Sequence, residues 1–276
     1  MGLEPKAIRL MFLGDRRIAS EILRDLIVGN FRAAFDVKVI VTSEKIEKWS
    51  REISSHGIVY LRNDERHIET LNRLIDDHGI ELILSIQHNW ILPKATLDKV
   101  SGLAFNLHNA KLPDYKGYNS ISHALISGDP LFHPTLHWMV EEVDSGPIVY
   151  QGLVKIEPCD TAYSLYPRTV KESLRIVRKF LLSLMDGKDI PVNPMNGGEG
   201  KFYGRTDIDK LADVSAISDP VELDRRVRAL FFPPFNAAYM EKNGRRIYLV
   251  PDTEFESHWH LTKPINDISD GRYGTD

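Results

Sequence analysis

The chain has a single cysteine, Cys159, in 276 residues. No disulfide can form within it and no thiolate-based metal site is expected. Such a chain suits a reducing compartment. Long apolar runs are missing too: none approaches the ~20 residues that a membrane-spanning helix needs. The first residues, Met1-Gly2-Leu3-Glu4-Pro5-Lys6, lack the apolar core of a signal peptide. There is no basic surplus. Lys and Arg number 35 against 39 Asp and Glu, a net charge of −4, whereas a protein whose main partner is nucleic acid usually carries excess positive charge. There is no G-x-G-x-x-G. The first strand is followed by one glycine, in Gly14-Asp15-Arg16-Arg17, which argues against an NAD-dependent dehydrogenase and reads either as a plain turn or as a site wall. His56, His67, His78, His258 and His260 show no ligand spacing that repeats with acids, so no metal is assigned. Internal repeats and low-complexity tracts are absent. These absences leave a globular, cytoplasmic protein.

What is present is an alternation. Apolar strands at Ile8–Gly14, Val37–Thr42, Ile58–Leu61 and Glu81–Ile86 alternate with helices at Ile18–Val28, Trp49–Ser55 and Ile68–Asp77. Continuous apolar strands between one-faced helices mean a mostly parallel sheet covered on both faces, a Rossmann-like α/β fold. Further on, Ser120–Ser127 reads as a helix, Thr135–Val140 and Ile148–Gln151 as a hairpin-like edge, and Thr161–Met185 as a long helix, interrupted near Pro167. From Lys188 the texture turns polar and rich in Pro and Gly, which sets a boundary. Residues 1–188 form the main domain and 189–276 a small C-terminal one. In the latter, a short helix spans Pro220–Leu230, and Asn243-Gly244 between alternating runs marks a hairpin. The final residues, Gly271–Asp276, are expected to fray.

The stretch that carries chemistry is Phe105-Asn106-Leu107-His108, followed by Leu112-Pro113-Asp114-Tyr115-Lys116-Gly117. Leu103, Phe105 and Leu107 alternate with Asn106 and His108, the period of a strand. Asn106 and His108 therefore share a face, roughly 7 Å apart. The amide is a donor and the imidazole moves protons near neutral pH. The Pro and Gly loop reads as a wall beside them. Asp144, in the turn Val143-Asp144-Ser145-Gly146-Pro147, supplies an acid that, within reach, fixes the histidine's tautomer or holds a water. His88-Asn89-Trp90 follows a strand at its carboxyl end, where open α/β sheets bind ligands. It reads equally as a capping loop over a buried Trp.

Asn106-Leu107-His108, Leu112 to Gly117 and Val143 to Val149, in this order, resemble the signature of the formyltransferases that use 10-formyltetrahydrofolate. The resemblance spans about residues 7–186. Tyr115 to Asn119, Thr135 to Met139, Lys201-Phe202-Tyr203 and Phe231 to Phe235 look most like the nucleotide-sugar N-formyltransferases. The departure is Asn109-Ala110-Lys111, where the family often has Ser or Gly. The resemblance implies an enzyme in which Asn106, His108 and Asp144 are catalytic. Asn106 would donate to the formyl oxygen, His108 would move a proton, and Asp144 would orient His108 or a relay water. Folate would lie by Ile86, His88, Trp90, Ile91, Val140 and Val143. The amine would belong to an amino-dideoxysugar on a nucleoside diphosphate, dTDP by analogy, near Lys116, Tyr118, Asn119, Tyr203 and Arg205. For the diphosphate, Arg16 and Arg17 are further candidates, while Arg225, Arg226 and Arg228 read as a solvated helix face. Relatives of this size imply a homodimer, paired through the hairpin. A methionyl-tRNA formyltransferase and a non-catalytic folate or nucleotide-sugar binding protein are the alternatives.

Overall fold

Runs of buried Val, Ile and Leu set the centre of the molecule. The computed structural model describes residues 6–43, 50–62, 67–195, 200–235 and 237–252. His258, His260 and the terminal Gly271–Asp276 lie outside them, as does Trp49 at the start of one expected helix.

The first half alternates as its periodicity predicts. Strands β1 (Ile8–Gly14), β2 (Phe35–Thr42), β3 (Val59–Arg62), β4 (Leu82–Ile86) and β5 (Ala104–His108) are separated by α1 (Arg16–Ile27), α2 (Ser50–Ser55), α3 (Ile68–His78) and α4 (Lys94–Lys99). Then follow β6 (Tyr115–Gly117), α5 (Ser120–Ser127), β7 (Leu131–Phe132), β8 (Thr135–Trp138), β9 (Ile148–Gln151), β10 (Val154–Lys155) and α6 (Ala162–Met185). The remainder holds β11 (Lys201–Tyr203), α7 (Pro220–Leu230) and the hairpin β12 (Tyr239–Lys242) and β13 (Arg245–Tyr248).

The main sheet has seven strands in the order β3-β2-β1-β4-β5-β8-β9. β1 to β5 are parallel, and β8 and β9 are added antiparallel. The pleat divides the apolar strands between two cores. Leu10, Phe12, Phe105 and Leu107 pack with residues of α1 and α6, such as Ile22, Val177 and Phe180. Met11, Leu13, Ile83 and Ala104 pack with Leu71, Leu74 and Leu97 of α3 and α4. After α6 the chain returns along the sheet edge: Ile148 and Asn193 exchange backbone hydrogen bonds, and Trp138 Nε1 donates to the Pro191 carbonyl at 2.9 Å. Part of β9's outer edge is thereby covered, which protects it from pairing with another chain.

Phe180 of α6 is fully buried and meets Phe105 at 4.6 Å between ring centroids. Phe180→Ala is expected to cost about 3–5 kcal/mol, read as a lower urea midpoint at unchanged slope.

Two expectations are corrected. The long helix is not interrupted near Pro167; α6 runs through it from Ala162 to Met185. Pro167 forfeits one backbone donor, but Leu165, Val170, Ile176 and Phe180 all bury on either side. The stretch Leu112 to Gly117 is not only loop. Tyr115–Gly117 becomes a strand because β11 comes alongside it in parallel, a partner too distant in sequence for local pattern to reveal. Among the described residues no helix is long and apolar enough to cross a membrane.

Candidate active site

β1, β4 and β5 end together: Gly14 pairs with Ile86, and Ile86 with Leu107. The chain moves outward from β1 to β2 and β3, then returns to β4 on the other side, so this carboxyl edge is the switch point of the sheet. Phe105 and Leu107 turn into the core under α1 and α6. Asn106 and His108, on the opposite parity, face the other side at the strand's end and are half-buried.

β8 brings a second imidazole to this face. In the antiparallel register Asn106 lies opposite His137, and facing residues share a side. The Asn106 amide nitrogen is 3.1 Å from His137 Nε2. His137 Nδ1 lies 2.8 Å from the Trp138 carbonyl. A carbonyl only accepts, so Nδ1 carries the hydrogen and Nε2 accepts from Asn106. The same reasoning fixes His108. Its Nε2 lies 2.7 Å from the Tyr115 carbonyl, so Nε2–H donates there and Nδ1 is the nitrogen left to take a proton.

Asp144 sits between the two rings. Its Oδ2 is 3.7 Å from His108 Nδ1 and its Oδ1 is 3.6 Å from His137 Nε2. The Gly117 N–H donates to Oδ2 at 3.2 Å. The turn that delivers it is tight: Asp144 has φ +52°, and a Cβ at Gly146 would lie 1.9 Å from the Trp138 carbonyl oxygen. Only glycine lets the turn lie this close to β8, which gives Asp144-Ser145-Gly146 a steric reason. Burial pushes the Asp144 carboxyl upward, but His108, His137 and the Gly117 amide together hold it well below the usual carboxylate range. It is charged, and 8% exposed. One oxygen of this buried charge accepts from the Gly117 N–H, and an imidazole nitrogen lies beside each, a polar setting that a buried charge requires. Asn106 Oδ1 is buried with no hydrogen-bond partner, a polar atom in want of one.

The residues assigned to a sugar nucleotide gather on the wall. Lys116 Nζ donates to Ser145 Oγ at 2.8 Å and lies 3.7 Å from the Glu142 carboxylate, bracing β6 against the Asp144 turn. The Arg205 guanidinium lies 5.0 Å over the Tyr118 ring, and the Asn119 amide donates to the Arg205 carbonyl at 3.2 Å. Tyr203 stacks on His123 with centroids 3.8 Å apart. Burial and nearby Lys201 push the His123 pKa down to about 4. The residues assigned to folate divide. The side chains of Ile86 and Trp90 belong to the two cores, and His88 meets Trp90 edge-on at 5.6 Å. Ile91, Val140 and Val143 are exposed. The arginines of α7 do not form a solvated face. Arg226 pairs with Glu222, Arg228 with Asp224 and the Asp160 carbonyl, and Arg225 lies against Gly128. Arg16 and Arg17 are exposed.

Sequence reasoning missed His137 as a site residue, although its alternation with Thr135 and the facing strand offered a signal. The Tyr115 carbonyl and the Gly117 amide carried none. Among the described residues no group of three or more His, Cys, Asp or Glu is placed to hold a metal ion.

The model of the "Formyl transferase" family matches residues 26–180. The chain belongs to the formyl transferase family. GDP-perosamine N-formyltransferase of Brucella melitensis is 30% identical over 214 residues, 74% of this chain and 79% of that one. Methionyl-tRNA formyltransferase of Lactobacillus acidophilus is 29% identical over 254 residues, 86% and 76% of the two chains. The solved N-formyltransferase of Helicobacter canadensis, in complex with folinic acid and dTDP-3-aminofucose, superposes with a TM-score of 0.65 at 19% identity, covering 87% of this chain and 86% of that one. This formyltransferase therefore shares its fold with an enzyme whose sequence has drifted far from its own.

Proposed function

We propose that the chain moves the formyl group of 10-formyltetrahydrofolate to the amine of a nucleoside-diphosphate-linked amino sugar, in the cytoplasm. The observation that carries this reading is the convergence of Asn106, His108 and Asp144 at a switch point, with an unpaired Asn106 oxygen beside them. The neutral amine attacks the formyl carbon, and its carbonyl becomes an oxyanion. The Asn106 amide donates to that oxygen, a contact worth about 2.7–4 kcal/mol in other acyl transfers. The attacking nitrogen loses a proton to His108 Nδ1, and the folate nitrogen gains one as its bond to carbon breaks. The products are a formamide and tetrahydrofolate, so protons balance. While it holds the proton, the imidazolium lies between the Tyr115 carbonyl and the Asp144 carboxylate, both of which favour the charged form.

For folate, the exposed Ile91, Val140 and Val143 offer apolar cover, and the strand-end backbone near Ile86 to Trp90 offers amides. For the sugar nucleotide, Tyr118, Asn119, Tyr203 and Arg205 form one face, and Lys116 stands beside the reacting atoms. The nucleotide is the open choice: the Helicobacter ligand carries dTDP, whereas the Brucella relative is named for GDP-perosamine. Half-exposed Ile247, Tyr248 and Val250 on and beside β13 support a dimer through the hairpin.

Formylation is assayed with 10-formyltetrahydrofolate and dTDP-linked or GDP-linked amino sugars, with charged initiator tRNA as a third acceptor. Folate-dependent product with one nucleotide sugar and none with tRNA is expected. Product with tRNA alone would make the chain a methionyl-tRNA formyltransferase. Ligand binding without turnover would make it a binding protein.

A further inference from the structure

β6 is three residues long, and its one strand partner among the described residues is β11. Yet it carries two contacts on which the site depends: the Tyr115 carbonyl that takes His108 Nε2–H, and the Gly117 amide that donates to Asp144. An isolated pair of such short strands is marginal by itself, so its placement has to come from what packs on it. Register sets Lys201 beside Tyr115, Phe202 beside Lys116 and Tyr203 beside Gly117, and the Tyr118 N–H donates to the Tyr203 carbonyl at 3.0 Å.

Two glycines let the strands approach. A Cβ at Gly117 would lie 2.3 Å from the Tyr203 carbonyl oxygen, and one at Gly200 would lie 1.9 Å from the Pro113 carbonyl oxygen. Both have positive φ, +88° and +69°. On its other side β11 is backed by α5, where buried His123 lies flat under the Tyr203 ring at 3.8 Å.

We propose that β11 is the positioning strand of the active site: paired along β6 and backed through Tyr203 by His123 of α5, it holds β6 where its backbone grips His108 and Asp144. The segment after Gly200 thus sets the rate of chemistry carried out by side chains far earlier in the chain. This rests on the roles given above to His108 and Asp144.

Gly200→Ala tests it, with Gly187→Ala as control. Gly187 also has positive φ, +64°, but a Cβ there meets nothing within 4 Å. Backbone strain is common to both variants; the collision with Pro113 is not. For Gly200→Ala, kcat is expected to fall about 10- to 100-fold, the scale of a ~1 Å misplacement, with KM for the folate within about twofold. Amide hydrogen exchange at Gly117 and Tyr118 should rise, and Gly187→Ala should change neither. His123→Leu, which removes the flat ring beneath Tyr203, is read the same way and decides the matter if Gly200→Ala does not fold. A folded Gly200→Ala or His123→Leu with wild-type kcat and unchanged exchange would overturn the proposal. If the wild-type protein transfers no formyl group, the functional reading fails instead, and exchange alone still reports whether β11 holds β6.

Discussion

His108→Ala lowers kcat by about a thousandfold and leaves KM for both substrates nearly unchanged. General acid–base groups contribute roughly 10²–10⁴ to rate, and His108 is held for that work on both nitrogens. Its Nε2–H is committed to the Tyr115 carbonyl, which favours the neutral tautomer with its lone pair on Nδ1. Its Nδ1 faces the site with Asp144 Oδ2 at 3.7 Å. A proton-transfer group acts on the transition state rather than on ground-state binding, so the loss appears in kcat. In free-energy terms a thousandfold is about 4 kcal/mol. Steady-state assay with saturating folate and sugar nucleotide measures it. Wild-type kcat in a folded His108→Ala protein would remove the proton-transfer role altogether.

Asp144→Asn is the second large effect, a fall in kcat of about 10²–10³, and it has a stability signature as well. The carboxylate lies against His108 Nδ1 and His137 Nε2 and accepts from Gly117. An amide keeps the shape but loses the charge that stabilises an imidazolium. With its NH2 at the Oδ2 position it also meets the Gly117 N–H with a donor instead of an acceptor. The folded protein holds this carboxyl below its unfolded value of about 3.9, chiefly through the two imidazoles acting against burial. A group with a depressed folded pKa contributes stability that is present above the unfolded value and is lost as pH falls through the folded one. Wild type should therefore be more stable than Asp144→Asn near neutrality, and the gap should close as pH drops below about 4. Thermal melts of both proteins across that range test the sign. A gap that widens toward acid would mean that the charge is a burden in the fold.

The parallel half of the sheet was legible because its strands are apolar on both faces and its helices on one. That Asn106, His108 and Asp144 come together was legible through resemblance and, for the first two, through the alternation about Phe105 and Leu107. What escaped was whatever depends on the backbone. The tautomer of His108 is set by a carbonyl that every residue possesses, and the strand carrying it exists because a segment beyond residue 200 returns to pair with it. His137 was visible as a letter but not as a neighbour, since it is register with β5 that sets it opposite Asn106. The arginines of α7 were misjudged for a related reason. Charge pattern does not distinguish a solvated face from one whose cations are neutralised a turn earlier and bedded on another helix.

The excursion between β8 and β9 is anchored at its base. Met139 N–H donates to the Ala104 carbonyl, Trp138 N–H to the Pro147 carbonyl, and Ile148 N–H to Asn193, while Gly146 rests on Trp138. Its tip, Val140 to Val143, is exposed. Asp144 thus lies at the anchored base of the excursion, and the exposed residues lie at its crest. Exchanging Val140 or Val143, the crest residues offered to folate, is therefore the way to alter the hold on the formyl donor while the carboxylate stays beside the two imidazoles.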